Sequence, residues 1–262
     1  MGETILLIEK SEGIATITMN RPKAMNALSS GLLSAIVDAF KDLENDQETR
    51  AVILTGTGKA FCGGLDLKEV ASVTGSFDML DIGKGTYQFF DTLNNFDRPL
   101  IGAINGAAIT GGFEMALACD MLIASTEARF ADTHARVGIM PSAGISQKLS
   151  RMIGINRAKE LSLTGNFLDA RKAEAWGLVN RVVAPESLIP VCRELARDIV
   201  SNDQNMVKEY KQLINQGHSL SLSEGLALEM ERHLRLAQAG IQNFDALRQD
   251  EVQKRGSKQI LK

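Results

Sequence analysis

The chain has 262 residues, with 29 basic against 32 acidic side chains, 44% hydrophobic and 23% charged residues. These are the proportions of a globular protein, and they exclude an intrinsically disordered or collagen-like chain. A sequence pI near 5.7 excludes a broad basic footprint for nucleic acid, and a chain this long buries about 70–75% of its unfolded surface without disulfide staples.

The elements begin with a hairpin. Thr4 to Glu9 and Ile14 to Met19 are β-rich and flank the breaker Ser11-Glu12-Gly13. Asn20-Arg21-Pro22 ends the second strand. Leu28, Leu32, Leu33, Ile36, Val37, Phe40 and Leu43 then recur at helical spacing, with Ser29 or Ser30 as N-cap. Ala51 to Leu54 is a short apolar run that predicts a buried strand. The same grammar returns at Leu100 to Ile104 (strand), Asn105 to Gly112 (Gly- and Ala-rich turn), Phe113 to Ala118 (short helix) and Asp120 to Ala124 (strand). Strands separated by crossovers predict an α/β fold with parallel pairing. Beyond residue 185 only helical patterns remain: Pro185 to Val200, Asp203 to Gln216, Ser221 to Ala239 and Phe244 to Lys254. The expected division is a core over 1–185 and a helical region over 186–262, whose apolar stripes must be buried against the core or a second subunit.

Several chemical motifs fail on spacing. Gly58-Lys59 lacks the earlier Gly and following Ser or Thr of a phosphate-binding loop, since Ile53 and Ala60 stand there. There is no G-x-G-x-x-G and no G-x-S-x-G. His134, His218 and His233 are not at metal-ligand spacing, so no metal is expected. The three cysteines, Cys62, Cys119 and Cys192, are scattered, which fits a reducing compartment. No secretory signal, membrane span or peroxisomal tripeptide is read from the chain, and the expected location is the cytoplasm.

Two strand-to-loop junctions carry unusual content: Lys59-Ala60-Phe61-Cys62-Gly63-Gly64-Leu65-Asp66-Leu67, and Asn105-Gly106-Ala107-Ala108-Ile109-Thr110-Gly111-Gly112-Phe113-Glu114. Each has a Gly pair that lets a ligand approach the backbone. The second opens a helix, where N–H groups have no intrahelical partner. Two such donors aimed at one point would make an oxyanion hole, and Glu114 beside them could act as a base. The structural alternatives are tight turns for the Gly pairs and favourable helix-dipole chemistry for Glu114.

These segments resemble a known family. Asn20-Arg21-Pro22-Lys23-Ala24-Met25-Asn26-Ala27-Leu28 is similar to its N-terminal signature. Ala60 to Leu67, Ala103 to Asp120 and Phe130 to Gly144 are similar to its active-site segments, and Ala173-Glu174-Ala175-Trp176-Gly177-Leu178-Val179 to its late signature. The family is the enoyl-CoA hydratase/isomerase, or crotonase, superfamily, and the resemblance covers essentially the whole chain. It implies a spiral of ββα units with a C-terminal helical region used in assembly, as a homotrimer or dimer of trimers. It also implies an acyl-CoA thioester as ligand, with coenzyme A part of the substrate and no separate cofactor, and no membrane or nucleic-acid partner.

Carried over by position, the resemblance makes the N–H groups of Leu65 and Gly111 the oxyanion hole. Lys23, Ala24, Gly63, Leu65, Asp66, Leu67 and Gly111 become the coenzyme A and substrate contacts. Lys23 or Lys68 is either a phosphate contact or a solvated surface lysine. Glu114 matches the first of two glutamates that hydratases of this family usually carry. The position of the second, twenty residues on, is His134. Three roles are open to it: a replacement hydrogen-bonding or proton-donating group, since imidazole titrates near pH 6.5; a spacer beside a single-residue mechanism; or a structural histidine bonded to Asp132 or a carbonyl. Thr110 also stands where Gly is often seen, which narrows the pocket beside the thioester. The expected activity is hydration of a 2-enoyl-CoA or the reverse dehydration. Double-bond isomerisation and non-catalytic acyl-CoA binding are the alternatives. The acyl pocket is expected to take its shape from Lys68 to Phe96 and the C-terminal helices, with Asp78, Asp81, Tyr87 or Asp91 facing the acyl chain.

Overall fold

A computed structural model describes residues 4–72, 79–240 and 252–257. In chain order the elements are β1 (Leu6–Ser11), β2 (Ile14–Met19), α1 (Ser30–Asn45), β3 (Ala51–Gly56), β4 (Ala60–Cys62), α2 (Leu67–Ser72), α3 (Met79–Asn95), β5 (Leu100–Ile104), β6 (Ala107–Ile109), α4 (Gly111–Ala116), β7 (Met121–Ser125) and β8 (Arg129–Ala131). There follow α5 (His134–Val137), α6 (Ile145–Ile153), α7 (Ile155–Thr164), β9 (Leu168–Asp169), α8 (Ala170–Ala175), β10 (Arg181–Val183), α9 (Leu188–Val200), α10 (Gln204–Gly217) and α11 (Leu222–Gln238). Asp78 and most of the expected helix over 244–254 lie outside the described residues, as does the side chain of Asp81.

The strands form two sheets, a larger one in the order β1-β2-β3-β5-β7-β10 and a smaller one in the order β4-β6-β8-β9. β1 and β2 pair antiparallel as the predicted hairpin, and β2, β3, β5, β7 and β10 run parallel. Three times in succession a strand of the large sheet is followed closely by one of the small sheet and then by helix: β3–β4, β5–β6 and β7–β8. This repeat is the ββα spiral, an α/β fold.

The centre of the large sheet is buried on both faces, which is why β3 and β5 read as continuous apolar runs rather than alternating ones. Ile53, Ile101, Ala103 and Ile123 pack with Leu188, Cys192 and Ala196 of α9. Val52, Leu54, Leu100 and Ile104 face the main core, with Phe40, Phe89, Phe96, Phe113 and Phe130. α9 is therefore a layer of the α/β core. The compact units divide between Lys208 and Glu209. Within the second unit, α11 starts with a capping box of Ser221 and Glu224, and Arg232 and Arg235 both bind Glu209 at 2.9 Å. Among the described residues, no helix is long and apolar enough to cross a membrane.

Candidate active site

The small sheet brings the two glycine-bearing junctions together: β4 leads into the first, and β6, its parallel neighbour, into the second. The loop after β2 clasps the first junction. Asn26, fully buried, donates to the carbonyls of Thr57 (2.9 Å) and Ala60 (2.8 Å) and accepts the Arg21 N–H (2.8 Å). Arg21 pairs with Asp66 at 2.9 Å. Leu28 donates to the Gly64 carbonyl and accepts the Asp66 N–H, a parallel bridge around Leu65. In that geometry the N–H of Leu65 itself points away from Leu28.

The second junction packs against the first by backbone. A Cβ on Gly112 would lie 2.1 Å from the Cys62 carbonyl oxygen, and one on Gly64, whose φ is +93°, 2.9 Å from the Ile109 carbonyl oxygen. Only glycine permits this approach. It sets the two expected donors side by side: a Cβ on Gly111 would be 3.8 Å from the Leu65 nitrogen, and one on Gly64 3.5 Å from the Gly111 nitrogen. Gly111 is the first residue of α4, where an N–H has no intrahelical acceptor.

Glu114 is one helical turn on and 3% exposed. Its Oε1 accepts the N–H of Ala143 (3.0 Å) and, more weakly, of Ile145 (3.5 Å). That pins one oxygen and leaves Oε2 facing His134 Nε2 at 3.7 Å. Burial pushes the Glu114 carboxyl above the usual range, against the opposing pull of His134 and the two amides. His134 Nδ1 donates to Asp132 Oδ1 at 2.7 Å, and the same oxygen accepts the His134 backbone N–H at 3.2 Å. Burial acts to raise Asp132, but hydrogen bonds from His134 and Ser162 outweigh it and hold the carboxyl below its ordinary range. The bond to Asp132 is the structural one of the roles open to His134, and the ring faces Glu114 beyond hydrogen-bond length.

The remaining expected residues are spread along the first junction. Lys23 and Ala24 lie in a short 3-10 turn over Pro22–Ala24, Lys23 exposed and Ala24 half-buried. Gly63 donates to the Met25 carbonyl, Leu67 and Lys68 are exposed, and the Asp66 carboxylate is taken by Arg21. Tyr87 is 71% exposed, and the exposed Asp91 accepts from Asn95. Sequence reasoning missed Lys148. It reaches from α6 to donate to Asn94 (2.6 Å) and to the Leu117 carbonyl at the end of α4 (3.2 Å), and its partly buried ammonium attracts Glu114. It also missed the Ala143–Ile145 amides, which a sequence cannot signal because any residue supplies a backbone N–H. Among the described residues, no three His, Cys, Asp or Glu side chains group as a metal site.

Two amide donors beside a buried, proton-hungry carboxylate form a site suited to stabilising an oxyanion while moving a proton. Comparison with known proteins points the same way. The profile of the enoyl-CoA hydratase/isomerase family matches residues 9–250. A protein of Arabidopsis thaliana named probable enoyl-CoA hydratase 1, peroxisomal, is 45% identical over 88% of this chain and 86% of its own. A short-chain-enoyl-CoA hydratase of Clostridium acetobutylicum is 40% identical over 86% of this chain and 87% of its own. Among solved structures, the enoyl-CoA hydratase of Bacillus anthracis superposes with a TM-score of 0.87 at 32% identity, covering 97% of both chains. With the two-sheet spiral and the matched junctions, these likenesses establish that the chain belongs to the enoyl-CoA hydratase/isomerase family.

Proposed function

We propose that the protein is an enoyl-CoA hydratase, a lyase that adds water to a 2-enoyl-CoA or removes it from the 3-hydroxyacyl-CoA. The observation that carries this reading is the placement of the Glu114 carboxylate one turn from the adjacent Leu65 and Gly111 nitrogens. In this reading the thioester oxygen accepts both N–H groups. Negative charge gathers on that oxygen as water adds to the β-carbon, and one such donor is worth about 3–4 kcal/mol of barrier. Because the donors belong to the backbone, side-chain substitution can displace them but not delete them. Glu114 Oε2 takes the proton of the attacking water, with its raised proton affinity matched to that task, and His134 completes the proton inventory on the facing side. Lys23, Ala24, Gly63, Asp66 and Leu67 line the coenzyme A path, Asp66 through its backbone because Arg21 holds its carboxylate. Coenzyme A arrives as part of the substrate, and the chemistry needs no further cofactor.

The test is to mix the protein with crotonyl-CoA and longer 2-enoyl-CoAs and follow the loss of the conjugated thioester absorbance. Turnover that falls by about 100-fold or more in Glu114→Gln is expected; no turnover at any chain length retires the hydratase reading. A second reading, double-bond isomerisation, is favoured by one observation: His134 stands in place of a second carboxylate, and a single base suffices to shuttle a proton between two carbons. Product analysis from a 3-enoyl-CoA in heavy-oxygen water separates the two, since isomerisation incorporates no solvent oxygen.

The reading includes assembly and location. Leu222, Leu226, Met230 and Leu234 recur at every fourth position of α11, each half or more exposed, and a stripe of this kind pairs with another copy. The assembly is a homotrimer or a dimer of trimers, and light scattering that finds a monomer would remove it. The buried thiols of Cys62 and Cys192 fit the reducing cytoplasm.

A further inference from the structure

Asp132, His134 and Glu114 form one buried chain of titratable groups. Asp132 is 2% exposed and its Oδ1 accepts two N–H groups of the same residue, the backbone amide and the ring Nδ1 of His134. A carboxylate is acceptor only. Nδ1 therefore keeps its hydrogen whether the ring is neutral or charged, and Nε2 is the one ring position that gains or loses a proton. Nε2 points at Glu114 Oε2 across 3.7 Å, beyond hydrogen-bond length, while the Ala143 amide holds Oε1 in place. Asp132 is anchored in turn by Ser162 from α7.

We propose that Asp132 is a positioning residue that fixes His134 in the Nδ1–H form and so makes Nε2 the group that delivers the proton to the substrate's α-carbon. The inference rests on the hydratase reading for its substrate but not for its geometry. Water gives a proton to Glu114 Oε2 while its oxygen bonds to the β-carbon. The electron pair of the double bond moves onto the α-carbon and thioester oxygen. The α-carbon then takes the Nε2 proton from the imidazolium, leaving neutral His134 beside protonated Glu114. Transfer of that proton from Oε2 to Nε2 restores the starting state, with one water added and no net proton exchanged.

The alternative is that Asp132 only braces the start of α5 through the His134 backbone amide. That role would cost stability on removal but leave the ring's tautomer and kcat alone. The charged groups that bear on the ring are Asp132 at Nδ1, Glu114 from α4 opposite Nε2 and, through Glu114, Lys148 from α6. Arg136 on α5 is turned away to the Thr164 carbonyl and Asn166.

The experiment is nitrogen-15 NMR of the three histidines in the whole protein, with His134→Asn to assign the resonance. At alkaline pH the wild-type ring should carry its proton on Nδ1; a ring protonated on Nε2 overturns the proposal without any variant. Asp132→Asn should release the Nδ1–H form and lower kcat on crotonyl-CoA by about 100-fold or more with KM changed little. Asp132→Glu should recover part of each effect. An Asp132→Asn protein with the wild-type tautomer, or with an unchanged kcat, overturns it. A wild-type protein that hydrates no enoyl-CoA ends the hydratase reading instead, and the spectrum still decides what Asp132 does.

Discussion

The hydroxyl of Thr110 meets the hydroxyl of Thr133 and accepts the Thr133 backbone N–H at 3.2 Å, tying the residue before Gly111 to the residue before His134. Thr110 has φ +53° and ψ −111°, a region that a β-branched residue enters only under constraint and that costs about 1–3 kcal/mol. Its own N–H is held by the Ala131 carbonyl at 2.8 Å. Because ψ of Thr110 sets the direction of the next amide, the hydroxyl link helps aim the Gly111 N–H. Thr110→Val keeps the shape and loses the link. It should lower stability in urea by about 1–2 kcal/mol and reduce kcat more than it changes KM, with Thr110→Ser recovering most of both. A valine variant equal to wild type in both measurements would show that the backbone bonds alone hold this residue.

Two glycines that look alike in sequence should respond oppositely to alanine. At Gly112 the new Cβ would meet the Cys62 carbonyl oxygen at 2.1 Å and carbonyl carbon at 2.7 Å. Both are backbone atoms, so the two junctions must part. We expect Gly112→Ala to lose about 3 kcal/mol or more and nearly all turnover, because the Leu65 and Gly111 donors separate. Gly85 lies within α3 with nothing inside 4 Å of its Cβ position, and Gly85→Ala should gain about 0.5–1 kcal/mol from helix propensity. Thermal melts of both proteins check the pair. A tolerated Gly112→Ala would contradict the close approach of the two junctions.

What the sequence made legible was what a single element encodes by itself. β3 and β5 announced themselves because Val52, Leu54, Leu100 and Ile104 are buried among equally apolar neighbours, and α1 because its stripe is long and Ser29 caps it. The small sheet was invisible: Ala60–Cys62, Ala107–Ile109, Arg129–Ala131 and Leu168–Asp169 are two or three residues each, too short for any period. The apolar face of α9 could be read, but not that the large sheet covers it. At the site, Glu114 stood out beside its glycine pair, and His134 by its resemblance-based position. Their facing orientation depends on amides that arrive 29 residues after Glu114, and no local pattern carries that.

The ion pair of Arg21 and Asp66 should give the protein part of its resistance to acid. Their 2.9 Å contact, with Arg21 also donating to the Ala27 carbonyl, clamps the 20–28 loop on the first junction. The Arg21 guanidinium holds the Asp66 carboxyl below the usual carboxylate range, against the effect of burial. A carboxyl lowered by folding stabilises the protein above its unfolded value, about 3.9, and that contribution disappears as pH falls through the folded value. Asp66→Asn should therefore be less stable than wild type by about 1–2 kcal/mol at pH 7, with the gap closing below about pH 4. Urea midpoints at pH 3, 5 and 7 measure it. A gap that is constant across this range would assign the loss to packing instead.

Glu114 should show the opposite linkage. Its carboxyl is raised by burial, so the folded protein holds this proton more tightly than the unfolded chain. Below both proton affinities the group contributes nothing. As pH rises through the unfolded value the unfolded chain ionises first and gains, and stability falls until the folded group has ionised as well. Once ionised, Glu114 is thus a cost to the fold, one that accompanies the role proposed for it. Glu114→Gln keeps an oxygen for the Ala143 and Ile145 amides and removes the charge. It should match wild-type stability near pH 4 and exceed it increasingly toward pH 8, while turnover on crotonyl-CoA falls by about 100-fold or more. Denaturation curves across that range, read beside the rates, test both halves with one protein. If the glutamine variant is less stable than wild type at pH 8, the carboxylate must be stabilised in place by His134 and its two amides, and the burial of Glu114 would no longer account for its raised proton affinity.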